Sequence, residues 1–276
     1  MKKRSLFVVL VTALLVALMG CGSGHSGAGA KQAADPSLER VKHAGVLVWG
    51  ADVIGGIPYA YEDPKNPGTY IGFEVDIARE VAHELGVQPK LEIRAWDTLI
   101  PELQKGSFDM AMNGIEDTKD RAAIVDFSDP YFVYSQQLTV REGTSGVKSL
   151  SDLKGKTVAT LSGTAAEDIL RQTAGIKVVT HPEIIYSYRD LQSRRVDAVL
   201  LDTPIAAAYG ASNPKLKNVG DSFGEGRYVA AFRKEDQSLR AAVNTALEDL
   251  KRSGKRKAIY AKWGILDKHQ AKIGIL

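Results

Sequence analysis

"LQKGSFDMAMNG" (103–114) and "LQSRRVDAVLLD" (191–202) align without a gap. Each reads Leu-Gln, three residues, one apolar residue, Asp, then an apolar run. A helix end followed by a turn and a buried strand fits that order. Its appearance twice points to two lobes of similar build, though one match of this length does not establish a duplication. Asp109 and Asp197 open the two strands and are read as structural.

Around both copies strand and helix alternate. "VLVW" (46–49) is a buried strand. "FEVDIAREVAHELG" (73–86) is helical, with Val75, Ala78, Val81, Ala82 and Leu85 on one face and Gly86 at the C′ position. "KLEIRA" (90–95) is a strand, Asp97 is placed to N-cap the helix that runs to Gly106, and "FDMAM" (108–112) is the next strand. The second series has strands at 156–161, 176–180 and 196–201, and helices at 164–175 and 183–195. Thr164 and Glu167 have capping-box spacing. Such alternation predicts a mostly parallel sheet with helices on its faces in each lobe. "RYVAAFRK" (227–234) reads as a strand crossing back, so the helical stretches 238–254 and 255–264 return to the first lobe. The expected architecture is α/β: two Rossmann-like lobes joined by a two-strand hinge, with crossings near 136–142 and 227–233. Lobe 1 then comprises 41–137 plus 233–276, and lobe 2 comprises 138–232. Ligands of open α/β sheets sit beyond the carboxyl ends of the strands, so the two lobes face each other across a cleft.

The whole excess of 36 bases over 33 acids is supplied by Lys2, Lys3 and Arg4, so the basic balance belongs to a leader and nucleic acid is not an expected partner. "MKKR" is followed by the apolar stretch 6–19, too short for the roughly 20 residues of a spanning helix. That stretch closes on "LMGC", and Cys21 is the only cysteine. Residues 1–20 are therefore read as a signal peptide, residues 21–40 as a flexible tether, and the folded body as free of disulfides. Gly22-x-Gly24-x-x-Gly27 has the spacing of a dinucleotide fingerprint, but no strand precedes it and no helix follows it. Five scattered histidines form no ligand pattern, and neither Gly-x-Ser-x-Gly nor His-Glu-x-x-His occurs. No cofactor, metal or catalytic group is expected.

Charge crowds into "NGIEDTKDR" (113–121), directly after a lobe-one strand. A solvated turn is one explanation; a ligand clamp is the other. Asp202 ends the matching strand of lobe two, where capping the next short helix is its alternative role. Thr164-Ala165-Ala166 begins a helix, and a helix N-terminus with free amides suits an anion. Arg121, with its guanidinium fork, and the amides around Ala165 could hold a carboxylate between the lobes. Asp202 and Glu116 could hold an ammonium beside it. Those two poles describe an α-amino acid.

The chain resembles the polar-amino-acid solute-binding lipoproteins of ATP-driven (ABC) importers, which have the type II periplasmic-binding-protein fold and belong to bacterial solute-binding protein family 3. The matching pieces are "IGFEVDIAREVA" (71–82), residues 95–132 from "AWDTLIPELQKG" to "DPYF", "LKGKTVATLSGT" (153–164), "VDAVLLD" (196–202) and "AIYAKWG" (258–264). The resemblance implies that Cys21 is lipidated and that the exported body is held at the extracytoplasmic face of a membrane or in the periplasm, where permease subunits are its partners. It implies that Arg121, Thr164 and Ala165 meet the ligand carboxylate. Asn113, Gly114 and the residue at 116, with Asp202, then meet the ammonium, Trp96 stacks on the side chain, and Asp52 reads its far end. Two positions depart from the family. Glu116 stands where Ser or Thr is usual, and the loop before Pro58 lacks an aromatic that Tyr59 or Tyr61 could replace.

Asp52 and Trp96 favour a basic or amide side chain: Arg, Lys, His or Gln. The rival within this fold is a cyclohexadienyl dehydratase-like enzyme, which needs a Glu three residues after the lobe-two Asp. Ile205 stands there, so a non-enzymatic binder is expected. No kinase, channel or repeat segment supports a sensor or adhesin.

Overall fold

The computed structural model describes Asp35–Leu276, Gly55 excepted. The signal peptide, Cys21, the glycine spacing at 22–27 and most of the expected tether lie outside the described residues. The tether ends sooner than expected. Helix α1 (Ser37–Ala44) starts inside it, because the Asp35 carboxylate accepts from the Ser37 and Ser238 amides and Val41 is buried.

The first lobe runs through β1 (Val46–Ala51), the short pair β2 (Tyr61–Glu62) and β3 (Tyr70–Ile71), then α2 (Phe73–Glu84) and β4 (Gln88–Ile93). It continues with α3 (Leu99–Gln104), β5 (Met110–Ala111), α4 (Lys119–Ile124) and β6 (Asp126–Phe127). The second lobe comprises β7 (Phe132–Arg141), β8 (Thr157–Leu161), α5 (Ala165–Gln172), β9 (Lys177–His181), α6 (Ile184–Gln192), β10 (Ala198–Asp202), α7 (Thr203–Ile205) and β11 (Leu216–Tyr228). The chain then returns to the first lobe as β12 (Ala231–Phe232), α8 (Gln237–Arg252) and α9 (Lys255–Lys262).

The sheets have the orders β4-β1-β5-β12-β6 and β11-β7-β10-β8-β9. In the first, β1 pairs parallel with β4 and β5, while β12 is antiparallel to its neighbours. In the second, β8 pairs parallel with β9 and β10, and β7 is antiparallel. The paired stretches noted at the start are equivalent in detail. Asp109 accepts from the Val48 amide at 3.0 Å, and Asp197 accepts from the Thr157 amide at 2.9 Å. Each Asp amide in turn donates to the carbonyl of that same residue. Both aspartates therefore lock the start of a parallel strand to its neighbour.

Helix α2 buries Phe73, Ile77, Ala78, Val81 and Ala82 against Trp49, Met110 and the aromatic residues of the hinge region. Val75 and Leu85 lie only at the margin of that core. Gly86 adopts φ 75° just past the helix, where a side chain would be strained. Asp97 does not cap α3. It falls in a 3₁₀ turn, Trp96–Thr98, and the backbone at Thr98 leads into the helix with no side-chain cap.

The lobes are joined near 128–131 and 229–230. Ser128 N–H donates to Ala230 O at 2.8 Å, Tyr131 N–H donates to Tyr228 O at 3.0 Å, and the Ser128 hydroxyl accepts from Ala230 N–H at 2.9 Å. The first crossing thus precedes the expected 136–142. Strand β7 pairs with β11 from Phe132 onward and with β10 from Gln136 onward, and belongs wholly to the second sheet.

Candidate functional site

Strands β1, β5, β8 and β10 all end at one small cavity between the lobes, of about 30 Å³. Asp52, Trp96, Asn113, Gly114, Glu116, Thr164 and Asp202 line it, together with Tyr59 and apolar walls from Leu161, Ile184, Leu201 and Ile205. Arg121 and Ala165 stand just behind the lining and reach it through Glu116.

The charged turn after β5 divides into two kinds of residue. Lys119 and Asp120 are exposed, and Asp117 pairs with Arg227. Glu116 is only 2% exposed and points inward. Thr118 caps α4 by accepting from the Arg121 amide, which turns the Arg121 side chain back toward the cleft. There Nη1 donates to the Glu116 carbonyl at 2.9 Å and to its Oε2, and Nη2 crosses to the Gly163 carbonyl of the second lobe at 2.8 Å. The guanidinium lies 5.0 Å from the centre of the Trp96 ring. Trp96 is itself fixed by donating from Nε1 to the Asn113 carbonyl at 3.0 Å.

From the other lobe, Ala165 N–H donates to Glu116 Oε1 at 3.1 Å. Glu116 thus meets a cation and a helix N-terminal amide. The Thr164 hydroxyl is occupied locally, accepting from Glu167 N–H at 3.3 Å and donating to Leu161 O at 2.8 Å. The expected capping box is half formed, because the Glu167 carboxylate bonds the Gly163 amide and Arg171 instead.

Asp202 does not cap α7; its side chain turns into the protein. Gln136 Nε2 donates to Oδ1 at 2.7 Å, and the Tyr228 hydroxyl donates to Oδ2. Tyr59 and Tyr228 share a further bond at 2.7 Å. Burial first, and the nearby Glu116 charge second, push the Asp202 carboxyl well above its ordinary range. Burial also raises Asp52, to about 6, against the opposing bond from the Ile54 amide. Asn113 ties this end together, exchanging side-chain bonds with the Asp52 backbone at 3.2 and 3.3 Å. At Gly114 the backbone has φ 62°, and an added Cβ would stand 3.1 Å from the Tyr59 ring, so only glycine fits without strain. Of the two tyrosines considered for the first-loop wall, Tyr59 lines the cavity and Tyr61 packs on Trp263.

Sequence reasoning missed Tyr228, Gln136 and Glu74. Glu74 lies fully buried beneath the site and accepts from the Gly114 amide at 2.8 Å and from the Tyr131 hydroxyl. Its sequence signal was an acid within the first turn of α2, which reads as ordinary helix chemistry. Among the described residues no group of three or more His, Cys, Asp or Glu is placed to hold a metal ion, and no helix is long and apolar enough to cross a membrane.

Two sheet-based α/β lobes, a two-strand hinge and a polar cavity at the facing strand ends define a type II periplasmic-binding-protein fold. The chain belongs to the bacterial extracellular solute-binding proteins, family 3, whose model matches residues 53–265. It is 33% identical over 242 residues to the L-cystine-binding protein TcyJ of Escherichia coli (strain K12), covering 86% of this chain and 90% of that one. Among solved structures it resembles the P235GK mutant of ArgBP from T. maritima, with a TM-score of 0.77 and 36% identity over 82% of this chain and 98% of the other. It also resembles an ancestral amino acid-binding protein, AncCDT-1, a precursor of cyclohexadienyl dehydratase. There the TM-score is 0.77 and the identity 33%, over 82% of this chain and 99% of that one.

Proposed function

We propose that the protein binds a polar L-amino acid, basic or amide, outside the cytoplasm and delivers it to an ABC importer. Residues 1–20 serve as the export signal and Cys21 carries the lipid that holds the body at the membrane. Replacing Cys21 with Ser is expected to move the protein from the membrane fraction to the soluble fraction. Lobe 1 (35–127 plus 231–276) and lobe 2 (132–228) close on the ligand through the crossings at 128–131 and 229–230.

One observation carries the assignment: the Arg121 guanidinium and the Ala165 amide, from opposite lobes, converge on a single carboxylate. Those donors are suited to the ligand's own carboxylate. Asp202, buried across the cavity, takes the ammonium, and the Asn113 and Gly114 segment frames it. Asp52 receives the far end of the side chain, with Trp96 as a wall. The relatives support an amino-acid ligand, since TcyJ is an L-cystine-binding protein and ArgBP from T. maritima has been solved in arginine-bound form.

Titration calorimetry with the twenty amino acids tests the assignment. Binding of at least one among Arg, Lys, His and Gln is expected; tight glutamate binding with none of these four would overturn it.

The likeness to a dehydratase precursor favours a second reading, an eliminating enzyme on the same fold. It lacks the acid that such chemistry needs, because Ile205 occupies the corresponding place on the cavity wall. No turnover of prephenate is expected, and measurable turnover would reverse the order of the two readings.

A further inference from the structure

Both donors assigned above to the ligand carboxylate are already bonded to one, that of Glu116. One of its oxygens lies on Arg121 Nη1, and the other lies 3.1 Å from the Ala165 amide. Nη2 of Arg121 donates to the Gly163 carbonyl at 2.8 Å, so both nitrogens of the edge that faces Glu116 and Gly163 are engaged. A second carboxylate has no place on the same guanidinium edge, since two like charges so close repel strongly away from water. An amino acid can therefore occupy these donors only by turning Glu116 aside.

The displaced carboxylate has nowhere neutral to go. Its side chain lines a cavity that also contains Asp52 and Asp202. Its charge already bears on Asp202, contributing after burial to the rise of that carboxyl. A buried carboxylate without a partner is costly. The ligand's ammonium can serve Asp202, so compensation for Glu116 has to come from a second cation on the ligand.

We propose that Glu116 is the specificity gate of this site: it occupies the ligand-carboxylate donors until displaced, and it admits amino acids with a cationic side chain in preference to uncharged ones of equal shape. The proposal rests on the amino-acid reading and narrows it from basic or amide ligands to basic ones. A Ser or Thr at this position, the usual residue type in the family, could neither hold the donors in this way nor demand a second charge.

L-Arginine and L-citrulline have nearly the same shape and differ in side-chain charge, so they form the test pair. Their dissociation constants are measured by calorimetry for the wild type, Glu116→Gln and Glu116→Thr, with thermal melts to confirm that each variant folds. The wild type is expected to prefer arginine by at least about tenfold, as for a desolvated charge pair. Both variants should lose most of that preference, chiefly through tighter citrulline binding. Agmatine, which is arginine without the carboxylate, need not displace Glu116, so its disadvantage relative to arginine should widen in both variants. An arginine-to-citrulline ratio unchanged by either substitution, with binding intact, overturns the gate alone. Failure of the folded wild type and variants to bind any amino acid overturns the amino-acid reading and the gate with it.

Discussion

Arg121 has both its distance and its direction set by neighbours: the Thr118 cap below it, the Trp96 ring against it and the Gly163 carbonyl beyond it. Arg121→Ala removes the guanidinium and leaves the partner carboxylate buried, so ligand affinity should fall by about 2–5 kcal/mol. Calorimetry reads this directly, and a loss of less than about tenfold counts against the clamp. Glu74 offers a prediction for pH. Burial raises its carboxyl to about 7, above the 4.5 of an exposed group, so the folded state holds the proton more tightly than the unfolded chain. The resulting stability is complete below pH 4.5 and is lost as pH rises toward and through 7, amounting to about 3 kcal/mol. Glu74→Gln carries no titrating group, so its denaturation midpoint should fall less than that of the wild type between pH 5 and 8; parallel profiles would contradict this. Residues of this kind differ in how visible they are from sequence. The cleft positions of Arg121 and Asp202 were readable because separate strand ends deliver complementary charges to one cleft, although each charge alone also suits a solvated turn or a helix cap. Tyr228 and Gln136 were not readable, since they sit in strands that leave the hinge, and their direction depends on a register shared between distant segments. Nor was it legible that Glu116 turns to Arg121, because side-chain rotation has no sequence signal.

The elements show why the two halves of the chain look alike. Strands β5 and β10 are each entered through an aspartate whose carboxylate accepts from one amide of a parallel neighbour, Val48 in β1 or Thr157 in β8. Without that acceptor the N–H is left without its partner. Asp109→Ala and Asp197→Ala should each cost about 1–3 kcal/mol in urea denaturation. Because the two serve different sheets, the double variant should show the sum to within about 0.5 kcal/mol. A large cost at one position and none at the other would argue against equivalent lobes. Most strands and long helices were visible through apolar period and terminal glycine, as Gly86 after α2 shows. Boundaries were weaker where local chemistry had a competitor. Asp97 had the right residue type for a cap, but the chain first makes a tight turn through Trp96, whose indole is drawn to the Asn113 carbonyl. The first crossing was misplaced because β7 mixes apolar and polar residues along one largely buried strand, and the change of sheet leaves no mark on such a run.

At the scale of the molecule, two chain crossings join the lobes, while cross-lobe bonds at the cleft run from Arg121 to Gly163, from Ala165 to Glu116 and between the Tyr59 and Tyr228 hydroxyls. Rotation about 128–131 and 229–230 would break the bonds to Gly163 and Ala165 and leave each sheet intact. On the proposed reading the protein has a bridged form and an opened form, and their balance depends on what fills the donors at Ala165 and Arg121. A ligand shifts such a balance only as far as it binds one form better. An amino acid held by both lobes does so, because its carboxylate can reach Arg121 and Ala165 together only when the lobes are bridged. The Glu116 carboxylate does the same more weakly, since it is tethered to one lobe and must also face Asp202. Small-angle scattering should therefore rank three samples by radius of gyration. Glu116→Gln without added ligand should be the most extended, the wild type without added ligand should be intermediate, and either protein saturated with L-arginine should be the most compact. The compaction on adding arginine should accordingly be larger for Glu116→Gln than for the wild type. Superimposable curves before and after saturation, in a sample whose binding calorimetry has confirmed, would show that the crossings do not act as a hinge.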